Sequence, residues 1–234
     1  MAPDQLLANP KNWRVNNRYG PAETTYMRTE GHRSGDTIVD WSEAFELVQS
    51  LEVGYVWHAG VHAAAVAEGL VRIGFEIVSQ VIWDKGLFAM GRSWYHWAHE
   101  PCWVVRKPGA GRFLGRRNQA TVWRIPQRSE QHDHPAICCE HQSTVWRAPS
   151  PKMIMAGSKE ERLDHPAQKP VVLYDIPILN HSGDVFDPFG GCGTSIIAAE
   201  QQGRRCFAIE VEPRYVEIIL ARWEAFTGRE AVRG

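Results

Sequence analysis

The chain has 234 residues, 44% of them hydrophobic, and a formal net charge of −1. This composition excludes a disordered protein, and the length suffices for one α/β domain. No apolar run approaches the roughly 18 residues of a membrane span, and residues 1–14 lack the apolar core of a secretory signal. The five cysteines have no disulfide-scaffold spacing, so we expect a protein of the reducing cytoplasm.

Patterns in the first half of the chain predict two helices and three strands after a polar N-terminal arm, residues 1–35. Asp40 and Glu43 form a helix-start pattern, and Gly74 is typical of a helix end. Runs of β-branched residues predict the strands. The predicted helices are 41–50 and 61–73, and the predicted strands are 53–58, 75–83 and 97–106.

Residues 108–164 are long, polar and interrupted by Pro and Gly, which predicts a loop insertion. Between Trp103 and Arg128 the chain carries seven basic side chains and no Asp or Glu. Basic side chains interleaved with glycines and aromatic rings suit a nucleic-acid backbone, although a solvated loop is the alternative. The candidate DNA contacts are Arg112, Arg116, Arg117 and Arg124.

The same insertion contains a group of potential zinc ligands. Their spacing does not match a zinc finger, because no Cys-x-x-Cys pairs with His-x-x-x-His. A metal site and a polar loop are both open interpretations. The candidate ligands are His132, His134, Cys138, Cys139 and His141.

The C-terminal part alternates helices and strands: helix 171–179, strand 185–187, helix 194–202, strand 205–210 and helix 213–228. This alternation predicts a mostly parallel sheet with helices on both faces. We therefore expect a Rossmann-like α/β domain over residues 36–234, interrupted by the insertion, with its ligand at the carboxyl ends of the strands.

A glycine-rich turn, residues 187–194, joins strand 185–187 to the next helix. Glycine lets a ligand approach the backbone, so this arrangement predicts a nucleotide-type site. Ile196 stands where a dinucleotide fingerprint has its third glycine, and no Gly-Lys-Ser/Thr of a phosphate loop follows. The ligand expected is therefore a nucleoside without a pyrophosphate, and S-adenosylmethionine fits.

Glu210 ends the next predicted strand, close to the ~20-residue distance at which a carboxylate binds ribose hydroxyls. A generic βαβ unit with a structural turn is the alternative, because one glycine-rich motif is weak evidence. The candidate cofactor-binding residues are Asp187, Phe189, Gly190, Gly191, Gly193, Thr194 and Glu210.

Three motifs in order, at residues 165–170, 187–194 and 210–215, resemble the permuted group of DNA amino-methyltransferases. The resemblance covers about Asp36 to Gly228. It implies methyl transfer from S-adenosylmethionine to adenine N6 or cytosine N4 in double-stranded DNA. It also implies that Lys169 pairs with the cofactor's carboxylate, unless Lys169 caps a helix.

Two further segments resemble those bordering the target-base pocket of this family: residues 83–85 and residues 96–101. Their alternative interpretation is structural, with Trp83 in the core and Glu100 in a salt bridge.

The family's amine-binding turn, Asp/Asn/Ser-Pro-Pro-Tyr/Phe, is not recognised, since the chain has no Pro-Pro. The nearest string contains Asn16 and Tyr19, which become weak catalytic candidates. A lost or rearranged N-terminus and an inactive descendant are two further explanations. The sequence thus leaves open a site-specific adenine (or cytosine) methyltransferase, an inactive DNA- or cofactor-binding relative, and a zinc-dependent nucleic-acid-binding module.

Overall fold

The computed structural model describes residues 3, 5–8, 39–85, 99–115, 145–147, 163 and 168–233. Seven strands lie within these ranges. They are β1 (Gln5–Ala8), β2 (Val53–Trp57), β3 (Glu76–Asp84), β4 (His99–Arg106), β5 (Val145–Arg147), β6 (Val185–Asp187) and β7 (Cys206–Ala208). They form a single sheet in the spatial order β5-β3-β4-β2-β1-β6-β7.

Neighbouring strands pair in parallel except at β4, which runs antiparallel to both β2 and β3. The expectation of a mostly parallel sheet is confirmed. Because of this arrangement, the other six strands end at one edge of the sheet, where β4 begins. We call it the carboxyl edge, and the opposite one the amino edge.

Five α-helices flank the sheet in the described residues, together with a short 3₁₀ turn (Gly60–His62). The helices are α1 (Ser42–Phe45), α2 (Ala63–Arg72), α3 (Val172–Asn180), α4 (Thr194–Gln201) and α5 (Pro213–Thr227). No helix in these ranges is long and apolar enough to cross a bilayer.

Helices pack on both faces of the sheet, as expected for a Rossmann-like α/β fold. Successive side chains of a strand point to opposite faces. Leu6 accordingly lies in one core with Val66 of α2, while Leu7 lies in the other with Leu173 of α3 and Ile197 of α4. The two cores therefore pack against opposite faces of the central strand β1.

The strand β1 comes from the segment assigned by sequence to an N-terminal arm. All four of its residues are buried. Gln5 pairs with both Val53 of β2 and Val185 of β6, so β1 lies between them. The predicted arm therefore contributes a central strand; the division at residue 35 and the extent of the insertion stay predictions.

Helix α1 is shorter than the predicted helix 41–50. The Ser42 amide donates to Asp40 Oδ1 at 3.0 Å, so the start signal was correctly identified. Beyond Phe45 the chain turns away, leaving Leu47 66% exposed while Leu51 is only 1% exposed. Val48 still packs against the same core as Trp41, Ala44 and Phe45, so the apolar side of this segment continues through turns after the helix ends.

Candidate functional site

The glycine turn lies at the carboxyl edge, directly after β6. The Gly190 amide donates to Ile209 O at 2.8 Å, and the Gly193 amide donates to Gly190 O at 2.8 Å. Gly191 and Gly193 have φ values of 57° and 76°, in the left-handed region that favours glycine. The turn begins the helix α4, as the sequence predicts.

The side chain of Ile219, from α5, explains why two of these positions lack a Cβ. An added Cβ at Gly193 would lie 3.2 Å from Ile219 Cγ1, and one at Gly190 would lie 3.3 Å from Ile219 Cδ1. Both distances are tighter than ordinary van der Waals contact. Helix α5 thus packs directly against the glycine turn.

Glu210 and the turn, separately identified in the sequence, are joined by a hydrogen bond. The Gly191 amide donates to Glu210 Oε2 at 2.7 Å, and the Glu212 amide donates to Glu210 Oε1 at 3.0 Å. Two backbone donors therefore orient this carboxylate. A carboxylate is also the kind of group that accepts hydrogen bonds from ligand hydroxyls.

Asp187 and Phe189 shape the other side of the turn. Asp187 is 2% exposed, and its Oδ1 accepts a hydrogen bond from the Phe189 amide at 2.9 Å. The Phe189 ring meets Trp41 edge-on, with centroids 4.9 Å apart. Asp187 therefore supports the backbone of the turn, while Phe189 connects it to the core on the α1 side.

Thr194, the first residue of α4, ties the turn to the segment before α3. Its hydroxyl donates to the Lys169 carbonyl at 3.3 Å. Two of the three motifs noted in the sequence are therefore in contact through this bond.

The Lys169 ammonium is 3% exposed and forms an ion pair with Glu100. It also lies 5.5 Å and 5.3 Å from the ring centroids of Trp57 and Trp83, which gives cation–π attraction. Lys85 Nζ is 2.7 Å from Glu100 Oε1. The partner of Lys169 in this structure is thus Glu100, and its expected pairing with a cofactor carboxylate stays a prediction.

Burial and neighbouring charges shift the pKa values of Glu100 and Lys169 in opposite directions. Burial raises the pKa of Glu100, but the ammonium groups of Lys169 and Lys85 outweigh burial and bring the pKa to about 2. Burial lowers the pKa of Lys169, and Glu100 opposes that shift only in part. Glu100 is therefore ionised at neutral pH. The structural interpretation of Trp83 and Glu100 agrees with these contacts.

Arg112 lies away from the turn. The segment after β4 is at the amino edge, where the Gly111 amide donates to Glu52 Oε2 at 2.7 Å and the Leu114 amide donates to Asn180 O at 2.8 Å. The structure therefore does not bring Arg112 together with the glycine turn. The other candidate DNA contacts, Arg116, Arg117 and Arg124, lie outside the described residues.

The remaining candidates, like His165 of the first motif, also lie outside the described residues. These are Asn16 and Tyr19, and the five potential zinc ligands His132, His134, Cys138, Cys139 and His141. Within the described ranges no three His, Cys, Asp or Glu side chains are grouped so as to hold a metal ion.

The sequence analysis did not consider Asn9-Pro10, a pair that lies outside the described residues. These residues directly follow β1, which ends at the carboxyl edge between β2 and β6. The sequence feature that could have identified this position is a short apolar run, Leu6 to Ala8, followed by an Asn-Pro pair. The strand was not predicted because a run of four residues is hard to distinguish from an irregular arm.

A family model supplies the decisive comparison. The model of the N6_N4_Mtase family, described as DNA methylase, matches residues 38–221. The chain belongs to this DNA methylase family. The resemblance inferred from the three sequence motifs is thereby confirmed.

Curated relatives of this chain include two type II methyltransferases. M.ScaI of Streptomyces caespitosus is 29% identical over 160 residues, covering 64% of this chain and 51% of the relative. M2.DpnII of Streptococcus pneumoniae is 27% identical over 180 residues, covering 74% of this chain and 61% of the relative. The chain thus spans about half to three-fifths of the length of these relatives.

Solved structures of similar fold match nearly the whole of this chain. The M1.HpyAVI–SAM complex has a TM-score of 0.58 at 17% identity, covering 95% of this chain and 89% of that one. The cytosine-N4-specific PvuII DNA methyltransferase has a TM-score of 0.60 at 14% identity, covering 100% and 82%. At these identities the likeness establishes the fold.

Proposed function

We propose that this DNA methylase transfers a methyl group from S-adenosylmethionine to the exocyclic amine of adenine in double-stranded DNA. The single observation that carries the proposal is the 2.7 Å bond between the Gly191 amide and Glu210, which joins the glycine turn to the candidate ribose-binding carboxylate at the carboxyl edge. Membership of the DNA methylase family and the type II methyltransferase relatives support it.

The residues of the glycine turn fit an adenosyl cofactor. The Glu210 carboxylate would accept protons from the ribose hydroxyls, and the glycines would let the cofactor approach the backbone. Asp187, Phe189 and Thr194 would hold the turn in shape through the contacts described above. When bound, S-adenosylmethionine supplies an electrophilic methyl group.

Exocyclic amines of nucleobases are poor nucleophiles, because their lone pair delocalises into the ring. The protein must therefore orient the amine by hydrogen bonds, and positioning supplies most of the catalysis. The target base would reach such a site only after leaving the duplex stack.

We assign the amine-orienting role to Asn9. It follows β1, the strand adjacent to β6, and Asn9-Pro10 keeps the first two positions of the family's Asp/Asn/Ser-Pro-Pro-Tyr/Phe turn. The Asn9 carboxamide oxygen would accept one amine proton. Lys11 and Asn12 replace the second proline and the aromatic residue, so base stacking at that position is not provided by the usual ring.

The main experiment measures transfer of a tritiated methyl group from S-adenosylmethionine to unmethylated mixed-sequence duplex DNA. Nucleosides released by digestion are then identified by mass, which separates N6-methyladenine from N4-methylcytosine. Methylation of adenine supports the proposal. Methylation of cytosine N4 would mean that the target base is cytosine. Cofactor binding without any methyl transfer would contradict the proposed activity.

Substitutions assign the residues. We expect Asn9→Ala to lower kcat about 100-fold, the low end of what one orienting group contributes, while Asn9→Asp retains an acceptor and most activity. Asn16→Ala and Tyr19→Ala test the other catalytic candidates, and we expect both to transfer methyl at the wild-type rate. A loss only in the latter two variants would move the amine site to residues 16–19.

A second candidate function is a catalytically inactive relative that binds DNA and cofactor. The replacement of the second proline and the aromatic residue by Lys11 and Asn12 favours it. Calorimetry would then find cofactor binding without turnover on any DNA.

The zinc-dependent module, the DNA-binding role of the insertion and the cytoplasmic location remain proposals. Elemental analysis tests the metal. Replacing Arg116, Arg117 and Arg124 together by Gln tests the DNA contacts. Each lost phosphate contact should reduce the salt dependence of DNA binding by about one unit of slope. Fractionation of the host cells tests the location.

A further inference from the structure

His58 lies at the carboxyl edge, immediately after β2. Its side chain is 4% exposed and stacks on Trp103, with ring centroids 5.4 Å apart and an interplanar angle of 23°. The His58 amide donates to Pro101 O at 3.0 Å. Backbone and ring are therefore both held by residues of β4.

The hydrogen bonds of the imidazole define its chemistry. Nδ1 lies 3.0 Å from the Ala59 carbonyl oxygen, which can only accept, so Nδ1 carries the proton. Burial lowers the pKa of His58; the hydrogen bond to the Ala59 carbonyl opposes this shift, and the neighbouring His62 adds to it. The ring is therefore neutral at pH 7, and Nε2 has a bare lone pair.

This lone pair has no partner among the described residues, although Nε2 is fully buried. Buried acceptors in folded proteins are nearly always satisfied. A ligand that brings an N–H donor to Nε2 would supply the missing hydrogen bond, whereas a carbonyl or phosphate oxygen, which can only accept, would not.

The location selects among possible donors. Ala8, which precedes Asn9, pairs with Val56, and His58 is two residues beyond Val56 on the adjacent strand. The glycine turn follows β6, two strands from β2, or roughly 10 Å at the usual strand spacing. His58 therefore lies on the proposed amine side of the edge rather than on the cofactor side.

We propose that His58 Nε2 accepts a hydrogen bond from the exocyclic amine of the target base. This inference rests on the proposed function, since it names an acceptor for the amine that is methylated. An acceptor held in place by residues of β4 would fix the orientation of that amine.

The test compares wild type with His58→Leu, His58→Gln and His58→Asn. Leu removes the acceptor. Gln can place an oxygen where Nε2 lies, whereas the shorter Asn side chain reaches only as far as Nδ1. We expect His58→Leu and His58→Asn to lower kcat/KM for DNA about tenfold to 100-fold, and His58→Gln to restore most of it. The dissociation constant of S-adenosylmethionine should stay unchanged in all three variants.

His181 supplies the matched control. It is also a buried histidine, but it lies at the amino edge, 3.0 Å from the Tyr55 hydroxyl. His181→Gln should leave kcat/KM for DNA at the wild-type value, because no bound base reaches that edge.

Each outcome bears on the inference. If His58→Leu does not fold, the comparison of Gln with Asn decides: equal activities overturn the inference. It is also overturned if His58→Leu matches wild type, or if its loss appears in the cofactor's dissociation constant, which would assign the donor to the cofactor. Absence of transfer by wild type removes the proposed function and, with it, this role of His58.

Discussion

Arg222 Nη1 donates a hydrogen bond to the carbonyl oxygen of Cys192 at 3.0 Å, joining the last helix to the glycine turn. The same nitrogen lies 3.4 Å from Thr194 Oγ1. Arg222 therefore spans the part of the turn that starts α4, on the side from which Ile219 also packs.

We expect Arg222→Met to weaken S-adenosylmethionine binding about tenfold, because a charged hydrogen bond to the turn backbone is lost. Calorimetric titration with the cofactor measures the effect. Arg229→Met is the control, since Arg229 forms its ion pair with Glu200 and stacks on Trp223, away from the turn. Equal effects of the two substitutions would contradict a role of Arg222 in positioning the turn.

Gly193 and Gly203 offer a matched pair of glycine-to-alanine substitutions. Both have positive φ, 76° and 63°, so Ala costs about 1–2 kcal/mol of folding free energy at either position. Only at Gly193 does the new Cβ also approach Ile219, whereas nothing lies within 4 Å at Gly203. Chemical denaturation should find Gly193→Ala the less stable variant, and calorimetry should find that it alone binds the cofactor more weakly. Similar cofactor affinities would refute this difference.

Glu100→Gln leaves the Lys169 ammonium buried without its counter-charge. We expect a loss of about 3 kcal/mol in the free energy of unfolding, measured by urea denaturation at pH 7. Glu76→Gln is the control, because the Glu76–Arg106 pair is 53% and 61% exposed and such surface pairs contribute about 0–1 kcal/mol. A small effect at Glu100 would mean that Lys169 is neutral in the folded protein.

The pKa of Glu100 also predicts a pH dependence. It is about 2 in the folded protein, below the ordinary value of 4.5. The unfolded chain therefore takes up a proton first, and stability falls as the pH is lowered from about 4.5 towards 2. Glu100→Gln should lack this part of the acid destabilisation in denaturation curves recorded across that range. An unchanged pH profile would contradict the low pKa.

Burial of His181 predicts a loss of stability at milder acidity. Burial lowers its pKa from 6.5 to about 4. As the pH falls from 6.5 to 4, this histidine is protonated in the unfolded chain but not in the folded protein, so the free energy of unfolding decreases. Below pH 4 both states are protonated and the decrease due to His181 levels off. His181→Gln should flatten the stability profile in this window, whatever its effect at pH 7. A slope equal to that of wild type would locate the titration elsewhere.

The cofactor half could be predicted closely because its signals are local. The order β6, turn, α4, β7 and α5 follows from residues adjacent in the chain, and Glu210 lies only 19 positions after the glycine to which it bonds. Sequence patterns of this kind specify strand ends, helix starts and left-handed glycines directly.

The other half could not be predicted equally well, because its contacts join distant residues. Glu100 and Lys169 are 69 positions apart, and neither has a local pattern that identifies its partner. The antiparallel direction of β4 depends on pairing with β2 and β3 together. The strand β1 becomes recognisable only when residues 53–56 and 185–186 enclose it.

The central place of β1 has a consequence for how the molecule is assembled. Gln5 to Ala8 is the sole strand connection between the four-strand group β5-β3-β4-β2 and the pair β6-β7 in the described sheet. Its partner in β6 is about 180 positions away in the chain. Pairings of such sequence separation form slowly, so we expect the complete sheet to form late in folding. Removing residues 1–8 would therefore divide the hydrogen-bonded sheet into two parts, rather than remove an appendage.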